Sequence, residues 1–71
     1  MADSFRKGDA VEWNTPQGRT HGRVERKLTE PTDVEGHHVA ASAENPEYLV
    51  RSDKSGKLAA HKPDALRRRG G

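Results

Sequence analysis

The apolar residues of this chain fall in short alternating runs, and Gly, Pro, Asn or Asp interrupts each run within a few positions. Such a pattern admits short, half-buried strands joined by tight turns and leaves little room for a long helix. Val11 and Trp13 alternate with Ala10, Glu12 and Asn14, giving a first strand entered through "KGD". "NTPQG" then reads as a turn, because Pro16 fixes its own φ and Gly18 accepts the positive φ that ends such loops. The returning arm is "RTHGRVERKL", with Val24 and Leu28 on one face and the intervening charges pointing out. Gly22 inside this arm reads as a bulge or sharp bend that helps a small sheet curl toward closure.

"TEPTDVEG" breaks the alternation with Pro31 and Gly36 and is expected to be a loop. "HHVAAS" resumes it, with His37, Val39 and Ala41 facing one way and His38, Ala40 and Ser42 the other. After "AENP", the run "EYLVRS" supplies a fourth strand in which Tyr48 and Val50 share a face. "DKSG" is a compact turn into "KLAAH", the fifth strand, where Leu58 and Ala60 point together. "KPDALRR" fits one helical turn, since Pro63 suits a first helical position and Leu66 can tuck under the sheet. The expected architecture is all-β: a small five-stranded SH3-like barrel with a short C-terminal helical turn, which closes most edges and needs few large core residues. Phe5, Val11, Val24, Leu28, Val39, Val50, Leu58 and Leu66 are expected to form the core, with Phe5 plugging one end. Residues 5–68 form the domain in this reading, with a flexible N-terminus at 1–4 and a flexible basic and glycine tail at 69–71.

Composition tests whether such a domain can fold. With 71 residues, 30% hydrophobic and 34% charged, only one small core is available and disorder is a real competitor. A single Trp, Tyr and Phe together with well-spaced Val and Leu residues favour a folded domain with a polar exterior. The chain has no cysteine, so neither disulfides nor thiolate metal sites supplement the core, and a cytoplasmic setting is expected. No run approaches the ~18 apolar residues of a membrane span, and the N-terminus lacks the apolar centre of a signal peptide. Thirteen Lys and Arg face eleven Asp and Glu, and the basic excess is C-terminal: residues 36–71 hold seven Lys and Arg against four acids. That asymmetry favours an anionic partner.

The closing "DALRRRGG" raises a different possibility, a ubiquitin-like modifier with a conjugating diglycine. A β-grasp modifier requires a helix of about three turns after its first hairpin, and the only available segment is "GRVERKLTEPTDVEG". Pro31 truncates that helix, because it lacks an N–H and restricts Glu30 before it. The four-residue spacing of Val24 and Leu28 fits a helix and a strand equally, so the modifier stays a remote alternative, with a frayed basic tail as its competitor.

The segments "GDAVEW", "GRTHGRVERKL" and "ASAENPEYLVRSDKSGKLAAHKPDALRR" resemble the bacterial and fungal family of hypervirulence-associated proteins with a Tudor domain, formerly a domain of unknown function. The resemblance runs from about Phe5 to Arg68, and its most specific block is Ala41, Ser42, Pro46, Tyr48, Ser52, Asp53, Lys54, Ala60, His61, Lys62 and Leu66. It implies a Tudor-type SH3-like barrel and says nothing of catalytic or binding residues, since fold does not carry function.

Four constellations could carry chemistry. An aromatic cage for a methylated ammonium would draw on Trp13 and Tyr48 with Glu12 or Glu47, but three rings in the whole chain are also the natural core. A basic edge of Arg51, Lys54, Lys57, Lys62 and the terminal arginines would bind RNA or DNA, with an exposed Trp13 or Tyr48 stacking on a base. His21, His37, His38 and His61 lack ligand spacing, and neighbours on a strand point to opposite faces, so no metal is expected. Ser42, His61 and Asp53 are residue types from which a catalytic set is built, yet so small a barrel has little concave volume, and neither enzyme activity nor a cofactor is expected. His61 sits where an imidazole can bond a loop carbonyl and hold the closing turn. The expectation is a monomeric, non-enzymatic interaction module with candidate binding residues Trp13, Tyr48, Arg51, Lys57, His61 and Lys62. Nucleic acid is its leading partner, and a protein or peptide bound through Trp13 and Tyr48, or at a free sheet edge, is the alternative.

Overall fold

The computed structural model describes residues 5–69; the expected flexible N-terminus at 1–4 and the diglycine Gly70 and Gly71 lie outside them. The chain forms β1 (Ala10–Thr15), β2 (Gly18–Leu28), β3 (Thr32–Val34), β4 (His37–Val39), β5 (Glu47–Ser52), β6 (Leu58–His61), a 3-10 turn (Pro63–Ala65) and β7 (Arg67–Arg68). Five of these make an antiparallel sheet in the order β6-β5-β2-β1-β7, and β3 and β4 pair separately. The architecture is therefore all-β and SH3-like. Residues 23–28, the stretch a β-grasp helix would need, are strand.

The route from β6 to β7 shows how the sheet must curl. These strands are its two edges, which in a flat sheet of five would lie about 19 Å apart. Residues 62–66 connect them, and three of the five lie in a 3-10 turn, which rises only about 2 Å per residue. So short a link reaches only if the sheet bends the edges together. Leu66, the last residue of the link, is 4% exposed and lies in the core. The paired backbone continues to Arg69, whose N–H donates to the Ala10 carbonyl at 2.9 Å.

Two faces of the sheet are covered by different sets of side chains. Phe5, Val11, Trp13, Val24, Tyr48, Val50 and Leu66 fill the inner side. Leu28, Val34, Val39, Ala41 and Leu49 form a second cluster, against which Leu58 and Ala60 pack. Strand alternation explains the split on β5: Tyr48 and Val50 point inward, so Leu49 between them points out and needs its own cover. On β2 the expected shared face of Val24 and Leu28 is divided, because the register shift between Val24 and Arg26 moves Leu28 into the second cluster. The β3-β4 hairpin supplies that cover with Val34 and Val39. Leu58, expected in the core, is only half-buried, because it stands on the edge strand where a neighbour is missing on one side.

Three local expectations change. Residues 32–39, read in part as a loop, form a hairpin whose two-residue turn is Glu35 and Gly36 at φ 50 and 82, the pair of positive values that a type I′ turn demands. The following strand stops at Val39, and residues 42–45 close a turn in which Ser42 Oγ accepts the Asn45 N–H at 3.0 Å. Gly22 stays in register with both Val11 and Ser52, and the bulge falls instead between Val24 and Arg26. What Gly22 provides is proximity: a Cβ there would overlap the Arg51 carbonyl and stand 3.0 Å from Trp13 Cη2.

Candidate functional site

The Gly22-Ser52 pairing sets the start of β2 beside the end of β5, so the β1-β2 turn and the β5-β6 turn emerge at one end of the sheet. Between them lies a groove of about 610 Å³. Its apolar surface comes from Trp13, Pro16 and Ala59, and its cations are Arg19, Lys54 and Lys57. Among the described residues no carboxylate lines it, whereas three smaller cavities are lined by Glu30, Glu47 or Glu12.

Each turn is built to hold its shape. Thr15 Oγ1 donates to the Gly18 carbonyl at 2.7 Å and accepts the Gln17 N–H at 3.2 Å, and Gly18 takes φ 121. In the second turn the Gly56 N–H donates to Ser52 O at 2.8 Å and the Ser52 N–H to Lys57 O at 2.9 Å. Arg51 clamps it from outside, donating Nη1–H to Gly56 O at 2.9 Å and Nε–H to Glu25 Oε2 at 3.0 Å. Asp53 is drawn off to His21, 3.1 Å away, while its own N–H donates to the His21 carbonyl. Lys54 and Lys57 thus face the groove with no ion pair among the described residues. Arg19 is held by Glu12 at 3.3 Å, and Glu12 also reaches Arg69 at 3.9 Å.

The six candidate binding residues do not form one site. Trp13 reaches the groove floor but is 6% exposed, so it offers a ring edge rather than a face. Tyr48 is 1% exposed; it packs edge-on to Phe5 at 5.3 Å, and its hydroxyl accepts the Phe5 N–H at 3.3 Å. Tyr48 therefore presents no surface for stacking, because a core this poor in large residues consumes its rings. Arg51 is occupied as the turn clamp. Lys57 is on the groove, while Lys62 lies at the other end of β6, about 16 Å along the strand. Arg19 and Pro16 join the site although neither was among the six; the signal available was that both lie within two residues of the turn glycine Gly18.

His61 lies behind the floor, its ring 5.4 Å from that of Trp13 and tilted by 40°. Its Nε2 is buried and has no hydrogen-bond partner among the described residues, so it bonds no loop carbonyl through that nitrogen. Burial pushes the imidazole below its ordinary pKa, and the charge of Glu47 opposes that shift.

This arrangement suits an anion and not a cation. A methylammonium cage needs several ring faces and an acid; among the described residues the groove has one ring edge, three cations and no acid. Ser42 Oγ is bound within its own turn and the Asp53 carboxylate is paired with His21, and no hydrogen bond among the described residues joins either to His61. Among the described residues no group of three His, Cys, Asp or Glu is placed to hold a metal ion, and no helix is long and apolar enough to cross a membrane. Residues 8–66 match the family described as "Hypervirulence associated proteins TUDOR domain". No match was found among curated proteins or among solved structures.

Proposed function

The chain belongs to the family of hypervirulence-associated proteins with a Tudor domain, a small interaction module, and from the groove we propose that it binds nucleic acid without catalysing a reaction. One observation carries this reading: among the described residues, Lys54 and Lys57 stand on the rim of the groove with no ion pair, and no carboxylate lines it. Phosphates seated there release counterions, so affinity falls as salt rises. Two such contacts on a single strand give a log-log salt slope of about −1.4, or roughly sevenfold weaker binding for a fourfold rise in salt.

The test is a salt titration of fluorescence anisotropy with short labelled RNA and DNA. Lys57→Ala is expected to bring the slope to about −0.7, and Lys54→Ala with Lys57→Ala to bring it toward zero. Lys62→Ala, remote from the groove, is expected to leave both affinity and slope nearly unchanged. Absence of binding at low salt, or equal effects of Lys57→Ala and Lys62→Ala, would refute the assignment of nucleic acid to this groove. A salt-insensitive peptide binder would place the module in the protein-adaptor class instead.

A further inference from the structure

The cations explain attraction to a phosphate backbone, but a backbone alone has no use for the floor beneath them. Trp13, Pro16 and Ala59 present apolar surface between the two turns, and Gln17, also lining the groove, has a side-chain amide with no partner among the described residues. We propose that the groove takes single-stranded nucleic acid with one base turned out of the stack and seated on this floor, its flanking phosphates on Lys54 and Lys57. This rests on the nucleic-acid reading above and adds the form of the strand.

Shape and chemistry both favour the single strand. A duplex presents a convex wall of phosphates about 20 Å across and keeps the faces of its bases covered by stacking. A groove of about 610 Å³ sunk between two turns is too small for that cylinder and falls in the size range that encloses a small planar ligand. A flexible strand can lower one base into it while the phosphates on either side stay at the rim. The base meets the Pro16 ring and the edge of Trp13 rather than an open aromatic face, so the contact tolerates any base by packing. Gln17 can donate to and accept from a base edge, which adds a modest preference.

Trp13 is the one tryptophan of the chain, so its emission reports on the floor of the groove without any label. The full chain is titrated at low salt with an eight-nucleotide single strand, the matching duplex, and an abasic phosphodiester of equal length and charge. Trp13 fluorescence and the anisotropy of end-labelled oligomers are followed together. The single strand is expected to bind about tenfold tighter than the abasic oligomer or the duplex, and it alone should change Trp13 emission. Pro16→Gly should narrow the gap between single strand and abasic oligomer while the salt slope stays as it was; a thermal melt checks that the fold survives. Equal binding of all three with unchanged Trp13 emission overturns the seated base and leaves the nucleic-acid reading standing. Binding of none overturns both.

Discussion

Gly22 illustrates how one missing side chain sets the distance between three strands. Placing a Cβ there collides with the Arg51 backbone, which cannot swing aside as a flexible side chain would. Gly22→Ala is therefore expected to cost more than about 3 kcal/mol, read as a fall in the urea midpoint; an unchanged midpoint would contradict the close approach. His61 acts at the same scale through its charge. Burial disfavours the imidazolium, so the folded pKa lies below the ordinary value of 6.5. As pH falls through that value the unfolded chain takes up the proton first, and stability present above it declines. His61→Phe, which removes the buried nitrogen, should flatten the stability profile in that window, and a profile as steep as the parent's would place its cause elsewhere. Glu12 competes inside the molecule for Arg19. Because an exposed ion pair is worth at most about 1 kcal/mol, Glu12→Gln should tighten binding of nucleic acid by no more than about fivefold. It should steepen the salt slope by about 0.7 as Arg19 becomes available.

At the scale of elements, the two turns matter more than the strands they join. Arg51 reads as a phosphate contact because it is basic and lies three residues before Lys54, yet its guanidinium is spent on Gly56 and Glu25. Its loss acts through the turn. Arg51→Ala is expected to weaken binding while leaving the salt slope unchanged, and to speed amide exchange at Gly56, since its clamp is gone. A change in slope equal to that of Lys57→Ala would instead make Arg51 a direct contact. The β3-β4 hairpin shows where alternation misleads. "TDV" is too short to register as a strand by pattern, and Glu35 is an unusual occupant of a positive-φ position. The hairpin forms there because Leu49 on the outer face needs cover, a requirement visible only once β5 is seated in the sheet.

Across the whole molecule, the link through residues 62–66 ties the two edges together, and Leu66 anchors it. Leu66→Ala should cost about 2–5 kcal/mol, lowering the thermal midpoint and raising amide exchange at both edges; a loss confined to residues 63–68 would show that the edges hold without it. The sequence by itself determined the class of fold, the order of the main strands and most of the inner core. Short alternating runs between Gly, Pro and Asx are a local property, and they suffice to place Val11, Val24 and Val50 on one face, while the Pro63 turn delivers Leu66 to it. It also showed that the charge excess lies toward the C-terminus. Which charges are available for a ligand was decided only by tertiary structure. Arg51, Lys57 and Lys62 are equivalent as letters, but a clamp, a groove rim and a remote strand end separate them. Trp13 and Tyr48 diverge for the same reason: burial depends on what the curled sheet brings opposite each ring, and long-range pairing across β1, β2 and β5 sets that.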